Sequence, residues 1–273
     1  MLSLSKNDSL RFVKLLGLNQ TKPALENLKK IIQAYMLKVP FENISKLYYL
    51  KTTGLNGIPG FEQFLSGIEK FHFGGTCYSN NYYLNLLLKF LGYEVKLCGA
   101  DMSKPDVHIA NIVAIENQEY IVDAGYGAPF LEPLPRNLQV DYIISSGINR
   151  YVLRPKDKNG CSRMDLYINN VLQHGYLLKP QSRSIDEFEE IIAGSFSPGA
   201  TFMNSILLAK FSPGYADIIH NLTYMEIKND IAAMKTINSK EELVVIINKV
   251  FGIPANILKI VLADLPMNQG VWG

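Results

Sequence analysis

The chain has 273 residues, 48% of them hydrophobic and 19% charged, a balance that fits a packed globular protein and excludes a disordered one. A net charge of +2, with no Lys/Arg run longer than two, argues against nucleic acid or an acidic membrane surface as a partner. Apolar runs such as Leu86-Leu87-Leu88 are too short to cross a bilayer, and the opening Met1-Leu2-Ser3-Leu4 lacks a charged segment before a long apolar stretch, so no secretory leader is expected. Cys77, Cys98 and Cys161 form an odd set without metal-type spacing, which reads as a reduced, metal-free cytoplasmic chain.

Helical spacing dominates the first ninety residues. Leu10, Phe12, Val13 and Leu16 predict a short first helix. A second begins near Pro23, carries Leu25, Leu28, Ile31, Ile32, Tyr35 and Met36 inward, and stops at Val39 because Pro40 disfavours helical geometry before it. Residues 52–60 read as a loop, residues 61–68 as a short helix. After Gly74-Gly75, Tyr83, Leu84, Leu87, Leu88 and Leu91 recur three and four apart, and Gly92 supplies a stop.

From Tyr93 the pattern turns to short β-prone runs at residues 94–98, 107–115, 120–124, 142–145, 151–153, 165–168 and 173–177, divided by turn-formers such as Lys156-Asp157-Lys158-Asn159-Gly160. An antiparallel or barrel-like sheet follows. The last part mixes classes: a helix over 185–192, a hairpin of 223–227 with 230–234 across Lys228-Asn229, and a helix capped by Ser239 and Glu242 with Leu243, Ile246, Ile247 and Val250 inward, ended by Gly252.

Three residues form a chemical constellation. Cys77, in Gly74-Gly75-Thr76-Cys77-Tyr78, stands at a helix start, where unpaired N–H groups and the helix dipole favour the thiolate. A cysteine there reads either as a nucleophile or as buried packing, and position by itself does not separate the two. His108 lies in an alternating run, 106–113, and Asp123 in Tyr120-Ile121-Val122-Asp123-Ala124-Gly125-Tyr126-Gly127. A turn at Glu116-Asn117 makes these runs a hairpin, places Asp123 opposite Ala110 and puts its side chain on the same sheet face as His108. Singly, a surface histidine and a turn aspartate are the plain alternatives. Together the three supply a nucleophile, a base and a carboxylate to orient the base. The Cys77 amide, with an amide of Gly125 or Gly127, is the candidate oxyanion donor set. His72, His174 and His220 read as solvent or core residues outside any metal pattern.

At these residues the sequence resembles the arylamine N-acetyltransferase family. Val39-Pro40-Phe41-Glu42-Asn43-Ile44 is similar to its Pro-Phe-Glu-Asn block, Gly74-Gly75-Thr76-Cys77 with Asn81 to its nucleophile block, His108 to the histidine opening its strand, and residues 122–127 to its aspartate block. A weaker likeness runs through 195–202 to 249–254. The resemblance implies an α+β, papain-like cysteine-triad fold: a helical domain over 1–93 carrying Cys77, a β-barrel over 94–195 carrying His108 and Asp123, and an α/β lid over 196–273. It implies ping-pong transfer of acetyl from acetyl-coenzyme A, through acetyl-Cys77, to an arylamine, hydrazine or N-hydroxyarylamine. It assigns Phe41, Tyr126 and Phe202 to the substrate pocket, and needs no metal.

Three positions depart from the family pattern. Phe73 stands where the family usually has Arg, Ser79 where it usually has an acid, and Ser197-Pro198 where bacterial relatives often have His-Pro. Without an Arg partner, Glu42 must find other partners or take up a proton when buried. Two further readings therefore stand beside the acetyltransferase: an acyltransferase or amide synthase using another acyl donor, and a weakly active relative that acts as a binding protein.

Overall fold

Ser5 opens the first helix, its hydroxyl accepting from the Asp8 amide. The computed structural model describes residues 4–266, so residues 267–273 of the expected lid lie outside the described residues. Helices α1 (Lys6–Leu15) and α2 (Leu25–Lys38) are followed by the two-residue strand β1 (Phe41–Glu42), α3 (Ile44–Thr53), α4 (Phe61–Phe71) and α5 (Cys77–Phe90). Helix α2 ends at Lys38, and Val39 is extended ahead of Pro40, as the proline requires. In α5 every side chain from Cys77 to Leu88 is buried. Its leucines pack in the main apolar cluster, while its amide-bearing side chains face strands.

Eight strands follow: β2 (Glu94–Asp101), β3 (His108–Ile115), β4 (Gln118–Val122), β5 (Leu134–Pro135), β6 (Tyr142–Ser146), β7 (Asn149–Leu153), β8 (Ser162–Ile168) and β9 (Val171–Ser182). They pair in the order β5-β4-β3-β2-β9-β8-β7-β6 as a barrel-like sheet, antiparallel throughout. Residues 185–188 form a 3-10 turn leading into α6 (Glu189–Gly194). Then come β10 (Leu207–Ser212), β11 (Tyr215–His220), β12 (Thr223–Lys228), β13 (Ile231–Thr236), α7 (Lys240–Phe251) and α8 (Ala255–Leu262). The second sheet runs β1-β10-β11-β12-β13. The fold is α+β.

Several elements differ from the sequence reading. Helix α3 is not among the elements read from the sequence. It forms because the buried Glu42 carboxylate accepts the Ser45 amide at its first turn and Gly54, at φ 71°, closes its last. Strands β10 and β11 and helix α8 also lie outside the elements read from the sequence, although Ile257, Leu258, Val261 and Leu262 recur at helical spacing in α8. The turn of the β12–β13 hairpin sits at Asn229-Asp230, one residue later than expected, because Lys228 pairs with Ile231 and both turn residues adopt positive φ. The expected helix over 185–192 is a 3-10 turn followed by α6.

Strand β1 joins the parts. Phe41 pairs with Ala209 of β10 and bridges in parallel to Gly75, so one short segment touches both the second sheet and the loop ahead of α5.

Candidate active site

The approach to Cys77 is set by close backbone packing. A Cβ on Gly74 would stand 1.8 Å from the Pro40 carbonyl oxygen, so only glycine fits. The Glu42 amide donates to Gly75 O at 3.1 Å, and the Gly75 amide to Pro40 O at 3.3 Å. Thr76 is extended and α5 begins at Cys77, whose side chain is buried in the shared core of helices and strands.

His108 opens β3 and Asp123 follows β4. The hairpin turn at Glu116-Asn117 has positive φ at both residues, and the ladder pairs Ile115 with Gln118 through Asn111 with Val122. Continued one step, this register sets Asp123 against Ala110, the pairing expected from the sequence. His108 Nε2 lies 2.8 Å from Asp123 Oδ2, with both residues 2% exposed. Cys77 Sγ lies 3.9 Å from the carbonyl oxygen of Val107, immediately before His108. The structure thus brings Cys77, His108 and Asp123 to one place from three separate elements.

Asn81, one turn beyond Cys77 on α5, holds the carboxylate. Its Nδ2 donates to Asp123 Oδ1 at 2.8 Å and to Ile109 O at 2.6 Å, while its Oδ1 accepts from the Ala124 amide at 2.9 Å. The Gly125 amide also donates to Asp123 Oδ1, at 2.9 Å. Sequence reasoning placed Asn81 in the nucleophile block without a role; its signal was the four-residue step from Cys77, which repeats one helical face.

Burial opposes charge on His108, but the Asp123 carboxylate, through its charge and its hydrogen bond, and then Cys77 outweigh it and bring the imidazole up to about 10. Burial likewise pushes Asp123 up, and His108, Asn81 and the Gly125 amide more than offset it, leaving the carboxyl below its ordinary range. The two partners agree in direction: the charged pair is the favoured state. With Asp123 on Nε2, the other ring nitrogen of His108 is the one left for the sulfur.

Aromatic rings surround this group. Tyr126 stands 5.7 Å from the His108 ring and 5.0 Å from Tyr176, and stacks on Phe130 at 5.8 Å. Tyr176 lies 4.9 Å from His108. Phe41 and Phe202 meet edge-on at 5.8 Å, and the Asn43 amide nitrogen donates to Phe202 O and Ser205 O. His174, expected as a solvent or core residue, is half-buried and bonds the Tyr126 hydroxyl through Nδ1 at 3.0 Å. Its signal was the period of β9, which sets His174 and Tyr176 on one face. A cavity of ≈ 270 Å³ opens between the two sheets, with Gln173, Ile218 and Met225 in its wall. His72 is the left-handed C-cap of α4, and His220 ends β11. Among the described residues, no His/Cys/Asp/Glu group could hold a metal, and no helix is long and apolar enough to cross a membrane.

A family model described as N-acetyltransferase matches residues 24–260. The chain belongs to the arylamine N-acetyltransferase family. It is 30% identical to a pineal-gland arylamine N-acetyltransferase isozyme of Gallus gallus over 199 residues, 63% of this chain and 66% of that protein. It is 32% identical to an N-malonyltransferase of Fusarium pseudograminearum over 119 residues, 37% of this chain and 34% of that protein. The match therefore spans less than two thirds of either relative. The fold is shared with the arylamine N-acetyltransferase of Mycobacterium marinum solved in complex with CoA, at a TM-score of 0.75 and 17% identity over 93% of this chain and 98% of that one.

Within the arylamine N-acetyltransferase pattern, the departures at Phe73 and Ser79 have a structural resolution. Phe73, 1% exposed, fills an aromatic cluster with Tyr48, Tyr49 and Phe71 at ring separations of 5.8, 5.7 and 5.3 Å. Glu42, fully buried, accepts from the Ser45 amide at 2.8 Å and the Gly74 amide at 3.0 Å. Burial raises its carboxyl above the usual range, and hydrogen bonding from the Ser45 side chain, then from the Ser45 and Gly74 amides, holds it down in part. Ser79 donates to Thr76 O and lies against Gly75. Glu42 is therefore met by backbone amides where the family pattern has Arg at the Phe73 position. Ser197 and Pro198 are exposed.

Proposed function

We propose that this protein moves an acetyl group from acetyl-coenzyme A to the nitrogen of an arylamine, hydrazine or N-hydroxyarylamine, through a thioester on Cys77. The observation that carries this reading is the buried 2.8 Å His108–Asp123 contact beside a cysteine at the first position of a helix. On this reading residues 1–93 bring the nucleophile, 94–195 the base and its carboxylate, and 196–273 the cover.

The steps follow from the geometry. His108 takes the proton of Cys77, and Asp123 and the helix start favour the resulting thiolate–imidazolium pair. The sulfur attacks the thioester carbonyl, and the tetrahedral intermediate expels the coenzyme A thiolate, which receives the proton from His108. An acceptor nitrogen then attacks acetyl-Cys77, gives its proton to His108 and releases the cysteine. The Gly125 amide is committed to Asp123, so the oxyanion role considered for it falls to the Cys77 and Gly127 amides. Phe41, Tyr126 and Phe202 form the apolar walls for the acceptor ring. The relative named as an N-malonyltransferase favours a second donor, malonyl-coenzyme A, on the same machinery.

Mass spectrometry after brief exposure to acetyl-coenzyme A tests this reading. A mass gain of one acetyl on Cys77, removed on adding an arylamine, is expected. A protein that stays unmodified by both acetyl- and malonyl-coenzyme A is a binding protein rather than an acyltransferase.

A further inference from the structure

The connection between β2 and β3, residues 102–107, delivers His108 to the site, and its last part is held by charge. Asp106 takes a left-handed conformation, with φ 57°, which costs an aspartate less than most residues but still costs it something. Such a conformation persists where the surroundings over-determine it, and positions of this kind gather at functional sites. Here the Asp106 amide donates to Asp101 Oδ1 at 2.9 Å. Lys179 Nζ stands 2.8 Å from Asp101 Oδ1 and 2.7 Å from Asp106 Oδ1, and Arg183 Nη1 stands 3.3 Å from Asp106 Oδ2. Arg183 is fixed in turn by Glu187 at 2.6 Å and lies over the Phe188 ring. A Cβ on Gly99 would fall 2.2 Å from Asp106 Oδ1, so β2 makes room for the carboxylate with a glycine.

The carbonyls of this turn face the helix of the nucleophile. The Tyr78 hydroxyl donates to Asp106 O at 3.3 Å, and Cys77 Sγ lies 3.9 Å from Val107 O. Two successive residues at the start of α5 thus meet two successive carbonyls ahead of His108. The Asn81–Asp123 contact ties the carboxylate to α5, and this second seam ties the backbone of the base to the same helix. Asp123 holds the imidazole at Nε2 only. The distance from the ring to the sulfur therefore follows the backbone at 106–108, and the transfer steps themselves make no use of the ion cluster.

Resting on the acyl-transfer reading above, we propose that Asp106 is a positioning residue for the base: its ion cluster with Lys179 and Arg183 locks the left-handed turn ahead of His108 and so holds the imidazole at working distance from Cys77. Lys179 and Arg183 act through Asp106. Asp106 acts through the backbone of Val107 and His108.

The test is steady-state kinetics with acetyl-coenzyme A and 4-aminophenol, read beside near-UV circular dichroism and the melting temperature of each variant. Asp106→Asn keeps the size of the side chain and its tolerance of left-handed backbone, and removes the charge. Its kcat should fall about tenfold to hundredfold, the loss for a misplacement of about 1 Å, with the acceptor KM within about twofold of the parent. Lys179→Met should lower kcat in the same direction by a smaller factor, and Lys179→Arg, which keeps the charge, should regain most of it. If Asp106→Asn does not fold, the Lys179 pair decides by the same split of kcat from KM. A parent chain that forms acetyl-Cys77, with Asp106→Asn turning over within about twofold of it, overturns the positioning role and leaves the acyl-transfer reading intact. So does a loss confined to melting temperature, or a fall in Asp106→Asn that Lys179→Met does not share. A parent chain that takes up no acetyl on Cys77 overturns the acyl-transfer reading, and the positioning role falls with it.

Discussion

Asn81 Nδ2 reaches Asp123 Oδ1 at 2.8 Å, so the helix that begins with the candidate nucleophile also grips the carboxylate that steers the candidate base. The sulfur and the carboxylate are thereby referenced to one rigid element, although forty-odd residues separate them in the chain. The same side chain accepts from the Ala124 amide, which fixes the backbone just after Asp123.

Replacing Asn81 by Ala removes its contacts to Asp123, Ile109 and Ala124 and leaves Asp123 Oδ1 with the Gly125 amide alone. The expected loss is about 1–3 kcal/mol of stability for the unmet buried group, and roughly tenfold to hundredfold in kcat as the base loses its alignment. Thermal unfolding and steady-state kinetics on one preparation measure the two. A change in stability with kcat intact would show that Asn81 supports the fold and not the alignment.

Asp123→Asn keeps the shape of the site but removes the charge that favours the imidazolium. Turnover should fall by about 10³ to 10⁴, with a much smaller change in KM, by analogy with the carboxylate of hydrolase triads. Near-UV circular dichroism should stay close to that of the parent. Activity within a factor of about three of the parent would remove Asp123 from the mechanism proposed above.

The pH dependence of stability contains two opposing parts. His108 rises from an ordinary 6.5 to about 10 in the folded chain, so its contribution is fully present below pH 6.5 and is lost as the pH climbs through about 10. Lys46 is displaced the other way, from 10.5 to about 8, chiefly by burial, with Cys77 pulling it back in part. Its Nζ donates to Ser195 O at 2.8 Å and Ser195 Oγ at 2.6 Å, and lies 3.9 Å from the centre of the Phe196 ring. For a lysine with a lowered folded value, the unfolded chain holds the proton longer, so stability rises with pH between about 8 and 10.5. The variant Lys46→Met should therefore lose stability more steeply than the parent across that window. Denaturant titrations at several pH values from 6 to 10.5 give both curves. Parallel curves would show that Lys46 does not titrate there.

Phe73→Arg restores the family residue but places a guanidinium among Tyr48, Tyr49 and Phe71 in a site 1% exposed. The expected result is destabilisation of about 3–5 kcal/mol, the range for loss of a core aromatic, with no gain in activity. A more active variant of unchanged melting temperature would mean that the aromatic cluster leaves room for the charge and that Glu42 was waiting for it.

The contact between His108 and Asp123 beside the helix that starts at Cys77 was legible in the sequence because each part depends on local rules. The helix that starts at Cys77 follows from apolar spacing and a glycine stop, and the His108–Asp123 register follows from a two-residue turn, since a ladder of period two then fixes every pairing beyond it. The family blocks supplied the rest of that reading. What the chain could not show by itself were elements that exist only through distant partners. Phe41 and Glu42 become a strand because Ala209 and Leu208 pair with them, and α3 becomes a helix because a buried carboxylate meets its first turn. The helix α5 also buries Asn80, Asn81 and Asn85; their burial is tolerable because their amide nitrogens donate to Asp123, Asn111 and several carbonyl groups. Sequence spacing determines which side chains share a face. Only the packing of three separate elements decides which polar groups meet there, because a hydrogen bond between residues far apart in the chain leaves no period in the sequence.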